Sequence, residues 1–189
     1  MRVLVYGVTG SGKSTLAKRL GAITGLPVHL VDDLTWEPGW TPVAEDEQRR
    51  RILSVCARER WILDSAYGGW LDVPLGRADL IVALDYARWR SLGRLLLRTG
   101  ARVVGRREVC NGNRETLRTL FSAGSIVLWH FRSITGKRRR MRSWATRPSG
   151  ATGAAARFAA LDCGLAALPG PLTRRRVATT FRHIEQVFG

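Results

Sequence analysis

The sequence predicts an α/β fold, a parallel sheet flanked by helices in three layers, and three observations predict it. Short apolar runs of strand length at 2–6, 28–31, 60–63 and 79–84 alternate with stretches of helical periodicity, the order that builds parallel strands joined by helical crossovers. The first run leads directly into Gly-Val-Thr-Gly-Ser-Gly-Lys-Ser at 7–14 and then into an amphipathic helix over 14–20. The runs at 28–31, 60–63 and 79–84 each end in carboxylates, Asp32 with Asp33, then Asp64, then Asp85. In an open parallel sheet, ligands bind beyond the carboxyl ends of the strands, so these acids face whatever the glycine loop holds.

The loop matches G-x-x-x-x-G-K-[ST] at every fixed position, the pattern of a phosphate-binding loop, and so predicts a P-loop NTPase fold. Glycines at 7, 10 and 12 permit dihedrals closed to other residues, which lets successive N–H groups converge on one anion. Gly10, Ser11, Gly12, Lys13, Ser14 and Thr15 are the expected nucleotide-binding residues. The helix starting near Lys13 aims its unpaired amides at the same point. Lys13 is placed for the β and γ phosphates, the Ser14 hydroxyl for Mg²⁺, and Thr15 for the α phosphate.

After the first helix, Gly25-Leu-Pro27 breaks the pattern ahead of the second strand. Residues 36–40, Trp-Glu-Pro-Gly-Trp, read as a turn-rich loop. Thr41-Pro42 reads as cap and first turn of a helix through about Glu59. Residues 65–76, with Gly68-Gly69 and Pro74, read as loop with one short turn, and 88–98 as a helix. The stretch 99–113 carries Arg102, Arg106 and Arg107 between Gly100, Gly105 and Gly112, so an arginine-bearing lid is expected there. Asn113 is positioned to cap a following helix that passes Leu117, Phe121 and Phe131 and reaches the basic run 137–140, which reads as a solvated face. Beyond Trp144, segments 147–156 and 161–172 are rich in Gly, Pro, Ser and Ala and carry no clear order, and 174–188 regains a helical pattern.

A single domain over 1–189 follows from 189 residues, 45% of them apolar, with 7 Trp for a packed interior. No run is long and apolar enough to cross a membrane, and the chain opens on a strand rather than a secretory leader, so a cytoplasmic location is expected. Cys56, Cys110 and Cys163 have no ligand or disulfide spacing. The net charge of +16 is uneven: residues 1–90 carry 12 Lys+Arg against 11 Asp+Glu, and residues 91–189 carry 19 against 4. A field of that sign draws anionic ligands without naming them.

Asp32-x-x-x-Trp36-x-Pro38-Gly39-Trp40, then Asp64-Ser65-Ala66-Tyr67, then Ala78-Asp79 leading to Leu84-Asp85, together with the phosphate loop, resemble the P-loop kinases related to adenylate kinase. More narrowly, residues 1–145 are similar to bacterial topology modulation proteins. Ser65 and Ala66 stand where that family has Gly-Asn. The Gly-Lys-Gly-Thr loop ending and the Gly-Phe-Pro-Arg segment of adenylate kinase are missing, so AMP is not implied as acceptor.

The resemblance implies Mg-ATP as donor and transfer of its γ-phosphoryl group to a small-molecule acceptor, a nucleoside, nucleotide or hydroxylated metabolite. Lys13, Asp32, Arg98, Arg106 and Arg107 are the expected catalytic groups, with Asp32 orienting or deprotonating the acceptor hydroxyl. Asp33 either shares that role or caps the next turn. Trp36 and Tyr67 offer rings for a flat acceptor, or plug the loop, and Asp64 lies beside them. Asp85 is either a second acid for Mg²⁺, after Ser14, or a helix cap. The alternative class is an NTP-binding regulatory or nucleic-acid-binding module with slow hydrolysis, for which the basic second half speaks but no recognisable binding motif does.

Overall fold

The computed structural model of the chain describes residues 1–105, 110–113, 126–145 and 157–161. Five strands form one parallel sheet: β1 (Arg2–Gly7), β2 (Val28–His29), β5 (Trp61–Leu63), β6 (Leu80–Leu84) and β7 (Arg157–Leu161), in the order β2-β5-β1-β6-β7. Two further short strands, β3 (Trp36–Glu37) and β4 (Thr41–Pro42), pair antiparallel as a hairpin outside the sheet. The chain leaves β1 toward the β2 edge and later crosses to β6 on the other side. The crossovers therefore diverge at the carboxyl end of β1, which opens a crevice where Gly7 begins the glycine loop.

Side chains alternate along β1 and divide the core between two faces. Val3 and Val5 pack with Ala17 and Leu20 of α1 (Lys13–Thr24), Ile62 and Val82. Leu4 and Tyr6 point the other way, into a cluster with Ile52, Trp61, Leu63, Trp70, Met141 and Trp144. That second face is covered by α2 (Val31–Thr35), α3 (Glu45–Cys56), α4 (Asp72–Leu75) and, beyond α5 (Arg88–Val104), by α6 (Ile126–Ala145). Trp61 and Trp70 are fully enclosed, and truncating either to Ala would cost about 3–5 kcal/mol. At the amino edge, opposite the crevice, Arg2 and Asp79 close the start of β1 onto β6 through a 2.7 Å ion pair.

Several boundaries differ from those the sequence predicts. The second strand stops at His29, because the Val31 N–H donates to the Asp64 carboxylate (2.8 Å) and so opens α2 instead. Asp32 and Asp33 thus stand in the first turn of a short helix. Thr41 and Pro42 do not start α3: Trp36 pairs with Pro42 and Glu37 with Thr41, and the helix begins at the acidic run Glu45-Asp46-Glu47, whose charges suit its amino end. The segment 65–76 contains a 3₁₀ turn at Gly68–Trp70 followed by α4. The expected lid is in part helix, since α5 runs on to Val104, and Cys110–Gly112 forms a 3₁₀ turn. Residues 157–161, for which the sequence gives no strand signal, form β7 along β6.

Arg106 and Arg107, the helix expected after Asn113 as far as residue 125, and the segments 146–156 and 162–189 lie outside the described residues. Among the described residues, no helix is long and apolar enough to cross a membrane.

Candidate active site

The loop from Gly7 to Ser14 is shaped by its glycines. Gly10 and Gly12 adopt φ of +80° and +88°, and a methyl group on Gly10 would run into the Ser91 carbonyl of α5 as well as Leu95. Only glycine fits there. The Ser11 N–H donates to the Val8 carbonyl (3.2 Å) and the Leu16 N–H to that of Gly12 (2.9 Å), which fixes the turn into α1. The Ser11 hydroxyl is buried with no partner among the described residues. Such an orphan, at the amino end of a helix of 12 residues, matches the needs of a phosphate group.

Lys13 folds back over this cradle and donates from Nζ to the Val8 carbonyl (2.9 Å). Burial pulls its ammonium down to about 8, against the pull of Asp64 and Asp32, while the nearby Arg98 charge pushes the same way as burial. The structure therefore brings Lys13, Asp32, Asp64 and Arg98 into one field. Thr15 and Gly12 are exposed and Ser14 half-buried.

Asp64 follows β5 and is 4% exposed. It accepts a hydrogen bond from the Ser14 hydroxyl as well as from the Val31 N–H. Burial holds its carboxyl above the ordinary range even so, with Asp32 adding to the rise and Lys13 opposing it. Asp85 has a different environment: at the end of β6 it lies beside α6, and Arg138 Nε holds it at 2.7 Å. The acid beside Ser14 is thus Asp64. The position expected for a metal acid, Asp85, is engaged by an arginine of the run at 137–140.

On the far side of Lys13, Asp32 accepts from the Tyr67 hydroxyl at 2.7 Å. Burial raises the Tyr67 phenol well above its ordinary value and the Asp32 charge adds to it. The Asp33 carboxyl is raised by partial burial and by its neighbour Asp32, and lowered by Lys18. Trp36 and Trp40 meet edge to face, 5.7 Å apart at 79°, inside the β3–β4 hairpin. Trp40 has φ +57°, an uncommon conformation for a bulky residue. It is held there by Asn113, whose Oδ1 accepts from the Trp40 N–H (2.7 Å) while its Nδ2 donates to the Glu37 carbonyl (3.0 Å). Asn111 donates to the Asp33 and Trp36 carbonyls (3.1 and 2.6 Å). The turn expected to belong to a lid is in fact stapled to the hairpin.

Two groups that sequence reasoning missed belong here. Asn111 read as part of the lid stretch and Asn113 as a helix cap, and nothing local marks their partners. Lys137 read as part of a solvated charge run, yet it is 8% exposed, lies over the Tyr6 ring (5.8 Å) and shares an electrostatic field with Lys13 and Asp32. A signal for it existed: Ile134, Lys137, Met141 and Trp144 recur at spacings of three and four, which puts Lys137 on the apolar stripe of α6.

Solved structures share this architecture. Shikimate kinase from Bacteroides thetaiotaomicron aligns with a TM-score of 0.55 at 14% identity, over 99% of this chain and 97% of its own. Deoxyadenosine kinase from M. mycoides aligns at 0.55 and 11%, over 98% and 100%, and shikimate kinase from Acinetobacter baumannii, in complex with shikimate, at 0.54 and 13%, over 99% and 94%. The fold is that of the P-loop kinases. No protein-family model matches the chain, and no curated protein matches it either.

Proposed function

We propose that the chain is an ATP-dependent phosphotransferase that moves the γ-phosphoryl group to the hydroxyl of a small acceptor. The observation that carries this reading is the cradle itself. A glycine loop with two positive-φ residues, an orphaned Ser11 hydroxyl and a lysine between two carboxylates sits at the point where the crossovers of the sheet diverge. The residues suit a nucleoside triphosphate with Mg²⁺. Loop amides from Gly10 to Thr15 and Lys13 would hold the phosphates, and Ser14 with Asp64 would hold the ion, which neutralises charge on the phosphates when bound.

Asp32, oriented by the Tyr67 hydroxyl, stands on the side where an acceptor hydroxyl would arrive, and its carboxylate accepts or orients that proton. Arg98 adds positive charge near the transferred group. In this reading Arg106 and Arg107 complete the closing contacts, and Asp33, Trp36 and Tyr67 border the acceptor. The Trp36-Glu-Pro38-Gly39-Trp40 segment supports a reading of the protein as similar to the topology modulation proteins. A screen of nucleosides, nucleoside monophosphates and hydroxylated metabolites for acceptor-dependent ADP formation tests the proposal, with Lys13→Ala as blank. Acceptor-stimulated turnover of at least tenfold over that blank is expected. ADP release that no acceptor accelerates would contradict it.

A further inference from the structure

Lys137 is buried on α6, and among the described residues no carboxylate pairs with it. Among the described residues its ammonium makes no hydrogen bond and no ion pair, and its contact is the face of Tyr6, the residue just before Gly7. A buried ammonium is costly unless something anionic accompanies it. The groups whose fields reach it are Lys13 from α1, Asp32 from α2 and Arg140 from its own helix. Two of these three are cations, so among the described residues the field at Lys137 is of net positive sign.

The direction of approach matters as much as the charge. Tyr6 points to the face covered by α2, α3, α4 and α6, so Lys137 comes at the loop from the layer that also carries Asp32 and Tyr67. Lys13 approaches from α1, on the other face. An anionic group lying between the two lysines would be in the path from the donor cradle to Asp32.

We propose, resting on the kinase reading above, that Lys137 is a second phosphoryl-binding cation, whose ammonium meets the γ-phosphoryl oxygens opposite Lys13 on the side facing Asp32. Burial and the neighbouring Lys13 hold the Lys137 ammonium down to about 7, and an anion arriving there would favour its charged form. The group therefore discriminates a nucleotide that has a γ-phosphoryl from one that lacks it.

The test is a pair of equilibrium titrations of the full chain, Mg·ADP against Mg·β,γ-imido-ATP, on wild type, Lys137→Met, Lys137→Gln and Lys137→Arg. The wild type is expected to bind the triphosphate analogue more tightly than ADP. Lys137→Met and Lys137→Gln should each weaken the analogue by roughly tenfold or more, the size of a charge-assisted contact, and leave ADP within about twofold. Lys137→Arg should restore most of the difference. Unchanged affinity for the analogue, or equal losses for both nucleotides, would overturn the assignment of Lys137 and leave the donor site standing. A wild type that binds neither nucleotide would overturn the kinase reading, and this inference with it.

Discussion

The glycine-loop cradle and the wall facing it stand at the same sheet edge but are built by opposite means. The cradle is one contiguous segment, residues 7–14, whose shape comes from backbone dihedrals and from hydrogen bonds spanning three or four residues. The facing wall is assembled from α2, Tyr67, the β3–β4 hairpin and the segment 110–113, joined by side chains that reach across 35 to 78 residues of chain. A cradle made of backbone tolerates little change in its glycines and much in its surroundings. A wall made of side-chain bonds can be retuned one residue at a time, which would suit the side proposed to recognise an acceptor.

Gly10→Ala tests the first half of that contrast and has the largest expected effect. The positive φ and the collision with Ser91 should together cost about 3 kcal/mol, read as a fall in the urea midpoint, and nucleotide affinity should drop at least a hundredfold. A Gly10→Ala protein with native stability would mean that the loop is not held as described.

Lys137 sharpens the contrast through pH. Between about 7 and the ordinary lysine value of 10.5, the unfolded chain holds a proton that the folded chain has released. Stability contributed by this group therefore rises with pH through that window, and below 7 the full cost of a charged buried ammonium is present. Lys137→Met should remove this slope and stabilise the unliganded protein at pH 7 by roughly 2–4 kcal/mol, measured as denaturation midpoints at pH 7 and pH 9.

Asn113→Ala tests the wall. It removes the bonds to Trp40 and Glu37 that hold the positive φ of Trp40, a loss of about 2 kcal/mol. Emission of Trp36 and Trp40 should shift while ADP affinity stays within about twofold. Equal damage to both would mean that cradle and wall are not separable.

The same division explains what could be read in the sequence. The cradle was legible because its determinants are adjacent in the chain: strand, glycines, lysine and helix follow one another without a gap. The four runs from β1 to β6 were legible for the same reason, each being a short apolar stretch with a carboxylate or a turn after it. The end of β2 was not, because the bond that starts α2 comes from Asp64, more than thirty residues away. Thr41-Pro42 carries a genuine helix-start signal that lost to pairing with Trp36 and Glu37. β7 lies in a Gly- and Ala-rich stretch where five strand residues have no contrast with their flanks. Lys137 needed the orientation of α6 against Tyr6, and the charge run around it concealed the apolar stripe.

The smallest effect expected is at Asp85. Its ion pair with Arg138 is partly open to solvent, so Asp85→Asn should cost less than about 1 kcal/mol and leave the Mg²⁺ dependence of nucleotide binding unchanged. Asp64→Asn should abolish that dependence. The reverse pattern would return the metal to the end of β6.

The central claim is that triphosphate binds the Gly7–Ser14 cradle through Lys13. Calorimetric titration of Mg·ATP into wild type and Lys13→Ala examines it most directly. The account predicts saturable binding to one site in the wild type and at least a hundredfold loss in the variant, which stays folded in the absence of ligand. A wild type that shows no binding, or a variant that binds as well, would contradict it.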